Sequence, residues 1–282
     1  MPSNASDTPL AVAGLDVSYP GAKVLTGLDL RLTAGEVYGL LGRNAAGKST
    51  LLNTLMRLIE PLAGSIAYFG EDIRTASPAT WRRISYLGEM ANVLPHWSVE
   101  RLLDFQAESY GRLRRDLADA LLAEFGIKPK AAMRALSRGQ QQMVGLIAAI
   151  AVEPDLLLLD EAAAALDPVA RRELFGRVLD LIGDRRCTAL ITSHIVSDLE
   201  RIVDRVGFLA GGRIVLEGSL DELKERCALV PLASEIEVPP GVTVLRRRVG
   251  GRALVTGDLD AFDTRTLQRM GLEDLYVELL GL

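Results

Sequence analysis

The stretch EVYGLLGRNAAGKSTLLNTLMRLI, residues 36–59, carries three successive patterns that decide the class of fold. EVYGLLG, 36–42, is a continuous apolar run ending in glycine, as expected of a strand buried on both faces. GRNAAGKST, 42–50, matches G-x-x-x-x-G-K-[ST]. KSTLLNTLMRLI, 48–59, has helical spacing. A strand, a glycine loop and a helix in that order make a phosphate cradle. Gly42 and Gly47 let the backbone wrap closely, so that the amides of Arg43, Asn44, Ala45, Ala46 and Gly47, with Thr50 at the first helical turn, surround phosphate oxygens. Lys48 brings a point charge to the outer phosphates, Ser49 can ligate Mg²⁺, and the helix dipole adds favourable potential. The motif implies bound ATP or GTP.

Downstream, DLLLLDE at 155–161 is an apolar strand ending in two acids. Asp160 is placed to hold Mg²⁺ through water, and Glu161 stands one residue further, within reach of a water attacking the γ-phosphate. His194 follows the strand TALITS and so faces the crevice at the carboxyl ends of a parallel sheet, where it could donate to the γ-phosphate.

Outward from these motifs the chain changes texture three times. Residues 10–32 read as strands, with Leu28, Leu30 and Leu32 alternating with Asp29 and Arg31. GSIAYFG and ISYLG give two more. Residues 90–152 read as a mostly helical insertion. Strands at 155–161, 187–194 and 205–218 then return, the last forming a hairpin across Gly211-Gly212, with helices expected over 169–183 and 195–204. Such alternation predicts a largely parallel α/β sheet. From 228 to 282, short strands around Pro-Pro-Gly and Gly-Gly turns and a closing helix LEDLYVELLGL read as a small α/β appendage to a cassette spanning 10–225.

Bulk properties narrow the function classes. The chain has 282 residues, 49% of them hydrophobic, enough for a large core. A net charge of −5 argues against nucleic acid held mainly by charge. The two cysteines, Cys187 and Cys227, have no metal or redox spacing. The N-terminal MPSNASDTPL lacks the features of a secretion signal. The longest uncharged run, 139–152, is shorter than the roughly twenty residues a membrane span needs.

One stretch remains. ALSRGQQQMVGLIAAI, 135–150, sets Ser137 and the Gly139 amide at the mouth of an apolar helix, a second anion site in a chain that already has one. Ser137 could equally serve as an ordinary N-cap. In order and spacing, GRNAAGKST, ALSRGQQQ, LLLLDE, ALD (165–167) and His194 resemble the ATP-binding subunit of ABC transporters, over about residues 10–225. The resemblance implies ATP with Mg²⁺ and a P-loop cassette with an N-terminal antiparallel β subdomain and a helical signature subdomain. It further implies a head-to-tail dimer of like or unlike cassettes, in which Ser137, Arg138, Gly139 and Gln140 of one cap the γ-phosphate held by Lys48 of the other. Asp167 falls in the D-loop, and Tyr19 stands where the family stacks an aromatic on adenine. Glu89 occupies the position of a usual glutamine, where a carboxylate could ligate Mg²⁺.

Other departures are Ala45 for a glycine, Arg138 for the first signature glycine and Ala162 for a proline. If the backbone at Ala45 needs positive φ, alanine strains it. The implied role is a motor at the cytoplasmic face of the cell membrane, driving integral permease subunits and probing them with residues 89–105, with Leu94, Trp97 and Val99 as apolar anchors. The closing helix resembles that of exporter-type cassettes. Two alternatives stay open: a soluble ATPase acting on ribosomes or DNA, and a regulatory subunit that does not hydrolyse.

Overall fold

The structure, a computed structural model, describes residues 8–88, 95–162, 166, 171–173, 175–176, 179–180, 183, 187–232, 237–248, 250–263 and 265–281. Its centre is a six-stranded sheet. β3 (Val37–Leu41), β6 (Ile84–Leu87), β7 (Leu156–Asp160), β8 (Thr188–Ser193), β9 (Arg205–Ala210) and β10 (Arg213–Ser219) lie in the order β10-β9-β3-β8-β7-β6. All neighbours pair in parallel except β9 and β10, which form the hairpin expected across Gly211-Gly212. Every residue of β3, β7 and β8 is buried, which is why β3 and the first four residues of β7 are apolar without a break, while β8 carries Thr188, Thr192 and Ser193 inside as well.

β1 (Leu10–Tyr19), β2 (Ala22–Leu32), β4 (Ala63–Tyr68) and β5 (Glu71–Asp72) make a second, antiparallel sheet in the order β2-β1-β4-β5. Between the two sheets lies α1 (Lys48–Leu55), whose Leu51, Leu52 and Leu55 join Leu10, Leu15, Leu28 and Leu32 in one core. This helix is shorter than the expected 48–59. Arg57 turns to φ 57°, its N–H donates to Thr54 O, and Leu58 N–H donates to Asn53 O. That is a Schellman end with arginine in the place usually taken by glycine, so the sequence carried no stop signal.

The helical insertion contains α3 (Val99–Tyr110), α4 (Arg115–Glu124) and α5 (Arg138–Ala151), preceded by the short α2 (Pro78–Trp81). Ser98 caps α3 with a hydrogen bond from Arg101 N. Met143, Val144, Leu146 and Ile147 of α5 enter the second large core, shared with Leu103, Leu121, Leu157 and Ile191. Val99, expected as an anchor for the permease, is fully buried in that core, because it lies one turn from Leu103 on the inward face of α3. Of the helix expected over 169–183, all the described residues, Arg171–Glu173, Phe175, Gly176, Leu179, Asp180 and Gly183, are helical. Only Val196–Leu199 forms α-helix in the segment expected over 195–204, since Ile202 and Val203 both return their N–H groups to Leu199 O and close the turn.

The C-terminal segment builds a third sheet, β12-β13-β11-β14, from β11 (Cys227–Pro231), β12 (Val242–Arg248), β13 (Arg252–Gly257) and β14 (Gln268–Arg269). One face keeps a small core of Ala228, Val230, Ala253 and Val255. Leu229 and Leu254 instead join the main core, together with Leu272 and Leu275 of the closing helix Leu272–Leu280. Arg246 Nη1 donates to the carbonyls of Glu278 (2.8 Å) and Gly281 (2.7 Å) at that helix's end, and Arg248 pairs with the Glu278 carboxylate.

Candidate functional site

The loop between β3 and α1 turns on two residues in the left-handed region. Gly47 has φ 108°, and a Cβ there would meet Leu25 Cδ2 at 2.8 Å, so only glycine fits. Ala45 has φ 64°, so the backbone does require the conformation that alanine resists. Lys48, 5% exposed, donates through Nζ to Gly42 O (2.8 Å) and Arg43 O (3.3 Å), curling the loop over its own ammonium.

Glu161 closes the mouth. It follows β7 directly and takes φ 50°, which aims its carboxylate back across the loop. Oε1 lies 3.1 Å from Lys48 Nζ, and Oε2 lies 2.8 Å from His194 Nδ1. Despite that short ion contact, Oε1 is buried without a hydrogen-bond partner. The lysine satisfies its charge but not its hydrogen-bonding geometry, which leaves an unmet acceptor facing the cavity for a donor.

Asp160 accepts from Thr192 Oγ1 at 2.7 Å, and the same hydroxyl receives Glu161 N–H at 3.2 Å. Burial pushes the Asp160 carboxyl above its usual range, against the hydrogen bonds from Thr192 and Ser49, while the Glu161 charge adds to the push. A cation favours the ionised form. Ser49 and Asp160 therefore suit Mg²⁺, which takes few protein ligands and leaves its other positions to water and phosphate.

Lys48, Ser49, Glu161 and His194 line one cavity of about 420 Å³ whose wall also contains Tyr19, Val24, Asn44–Gly47 and Thr50, while Asp160 is not part of that wall. Tyr19, 44% exposed at the end of β1, is part of that wall. Four separate segments thus converge on one opening. Gly42 and Arg43 support the lysine from beneath. Val24 and Thr192 were not anticipated. Val24 reads as an ordinary strand residue, and Thr192 reaches Asp160 only because β7 and β8 pair with Asp160 opposite Thr192.

Residues 25–164 match the family model described as ABC transporter. Over 291 aligned positions the chain is 34% identical to the daunorubicin resistance ATP-binding protein DrrA3 of Streptomyces coeruleorubidus, covering 95% of this chain and 90% of that one. This chain belongs to the ABC transporter family, as an ATP-binding subunit. It is 32% identical to the bacitracin transport ATP-binding protein BcrA of Bacillus licheniformis, over 78% of this chain and 72% of that one. A solved ATP-binding subunit of an ABC transporter superposes with a TM-score of 0.70 at 28% identity, covering 77% of this chain and 92% of the other.

Family membership makes this an ATP-binding cassette of the kind that dimerises and works with membrane permeases. Among the described residues no helix is long and apolar enough to cross a membrane. Within the cassette, Ser137, Arg138, Gly139 and Gln140 are not part of the cavity wall. Ser137 caps α5: its Oγ accepts from Gln140 N at 3.2 Å, while Gln140 Oε1 accepts from Ser137 N at 3.1 Å. The capping box uses the serine as acceptor only, so the hydroxyl hydrogen remains free to donate. The amides of Arg138 and Gly139, the first two of the helix, have no intrahelical acceptor. Ser137 and Arg138 are exposed. Glu89, Leu94 and Asp167 lie outside the described residues.

Proposed function

We propose that this chain is the ATP-hydrolysing motor of an ABC exporter. The observation that carries the reading is the carboxylate of Glu161, held between Lys48 and His194 at the mouth of the phosphate loop. Tyr19 stacks on the adenine, with Val24 beneath it, and the amides of Arg43 to Gly47 receive the phosphates. Lys48 exchanges its contact with Glu161 for the outer phosphate oxygens. Glu161 then takes the proton of the water that attacks the γ-phosphorus, ADP leaves, and His194 holds a γ-phosphate oxygen. Ser49 and, through water, Asp160 would hold Mg²⁺, with Glu89 a further candidate ligand, and the ion would neutralise phosphate charge there.

The exposed Ser137 hydroxyl and the Gly139 amide bind the γ-phosphate of a second cassette, of like or unlike chain, with Arg138 and Gln140 beside them and Asp167 at the dimer seam. ATP is then shared by two half-sites, and hydrolysis removes the bridge. Permease subunits receive the motion at the cytoplasmic face, near Trp97, which packs edge-on against the half-exposed Phe105. Export agrees with the relatives named for daunorubicin resistance and bacitracin transport. Residues 10–225 form the cassette and 228–282 the appendage.

Glu161→Gln tests the reading. Turnover falls by about 10²–10⁴-fold, the usual contribution of a general base, while an ATP analogue still binds. Because the variant also frees Lys48 from its competing carboxylate, analogue affinity is equal to or tighter than that of the parent. Equal turnover in the two proteins would refute hydrolysis at this site.

A further inference from the structure

The three consecutive glutamines of α5 do three different things. Gln140 completes the capping box with Ser137. Gln141 Nε2 donates to Met133 O (2.9 Å) and Leu136 O (3.1 Å), fastening the preceding turn to the helix. Gln142 crosses the molecule instead: only 3% exposed, its Nε2 donates to Gly88 O at 3.2 Å, 54 residues away in the chain. Its neighbours Met143, Val144, Leu146 and Ile147 are all apolar and buried. An amide there carries a desolvation cost that a methionine or leucine would not, unless its hydrogen bond accomplishes something.

Gly88 is a particular place to attach. It follows β6, which pairs with β7 so that Leu87 stands opposite Leu159, one residue before Asp160. A Cβ on Gly88 would lie 3.0 Å from the Tyr86 hydroxyl, and that hydroxyl in turn donates to Asn53 Oδ1 of α1 at 3.4 Å. The end of β6, beside the strand that carries Asp160, is thus gripped from both sides, by α1 through Tyr86 and by α5 through Gln142. Ser137 lies only five residues up α5 from Gln142, less than a turn and a half along the helix.

We propose that Gln142 is a positioning residue, a strut that sets where the serine-bearing end of α5 stands relative to this chain's own nucleotide cradle, through the backbone of Gly88. The inference rests on the proposed role of Ser137 toward a partner's nucleotide. It assigns the two half-sites of one chain a fixed spacing, so that a cassette holding ATP in its own cradle presents Ser137 in the correct place for the partner's.

The test uses the full chain. Gln142→Met matches the side chain in length without a donor; in Gln142→Glu, burial keeps the carboxyl group protonated and able to donate. Loss of the strut lowers kcat by about five- to tenfold in Gln142→Met, with KM for ATP within about twofold, because the cradle is untouched. Gln142→Glu keeps kcat within about twofold of the parent. Added to Glu161→Gln, Gln142→Met weakens the ATP-dependent dimer in sedimentation. A folded Gln142→Met with parental kcat, or with raised KM and unchanged kcat, overturns the strut. Should Gln142→Met not fold, Gln142→Asn, too short to reach Gly88, replaces it with the same two expected readings. If Glu161→Gln alone forms no dimer with ATP, the bridging role of Ser137 is overturned, while the kcat comparison still judges the strut.

Discussion

Replacing Ala45 by glycine should stabilise the protein, contrary to the usual effect of adding glycine. The residue sits at φ 64° with its side chain exposed. An L-residue in the left-handed region carries about 1–2 kcal/mol of strain that glycine does not. Glycine gives back about 0.4–1 kcal/mol through its freer unfolded chain. The exposed methyl group contributes little packing, so the net gain is about 0.5–1 kcal/mol. For a chain of this size, with about 2–4 °C per kcal/mol, the midpoint of nucleotide-free thermal unfolding rises by about 1–4 °C. The measurement is calorimetry on both proteins at one concentration and salt, with ATP-analogue affinity measured alongside. A lowered or unchanged midpoint would show that the loop does not hold this conformation, and the described presentation of amides to phosphate would fail with it. Ala45→Val, β-branched at the same φ, moves the midpoint down and weakens the analogue.

Two other expectations separate roles that coincide in one residue or follow from burial. Ser137→Asp keeps an acceptor for Gln140 N and so leaves the melting midpoint within about 2 °C, as Asp is as good an N-cap as Ser. It nevertheless abolishes ATP-dependent dimerisation, because the new carboxylate repels the partner's γ-phosphate; a surviving dimer would mean that Ser137 is a cap and nothing more. Burial pushes the Cys187 thiol up to about 12. In the unfolded chain it ionises near the ordinary value of about 8.5, so its contribution to stability is complete below that pH and is lost as pH rises toward 12. Native protein at pH 8 should therefore resist alkylation at Cys187, mapped by mass spectrometry, until denaturant is added. Rapid labelling of the native form would refute the burial.

The legible part of this protein is the part written in neighbouring residues. A glycine loop between an apolar run and a helical run is a local pattern, and β3, the loop and α1 follow from it without reference to the rest of the chain. The same holds for the runs that became β7 and β8, and for the glycine pair of the β9–β10 hairpin. Local reading overran where the stop was not a glycine, as at Arg57, and where a turn closed on Leu199. It misplaced Val99 because helical spacing shows that a face is apolar without showing what covers it.

What the chain order alone could not decide is which groups share the cavity and in what state. Thr192 reaches Asp160 because two strands pair in one register, and Gln142 reaches Gly88 because α5 lies across the end of β6. Glu161 is a candidate base from its position after Asp160, but its engagement with both Lys48 and His194 depends on a backbone turn of φ 50° at the strand end. The sequence by itself determined the chemistry, since residue types and spacing choose a phosphate cradle, an acid pair and a serine-capped helix. Tertiary structure decided the geometry, because hydrogen bonds and ion pairs between residues far apart in the chain exist only once packing has fixed the distances between them.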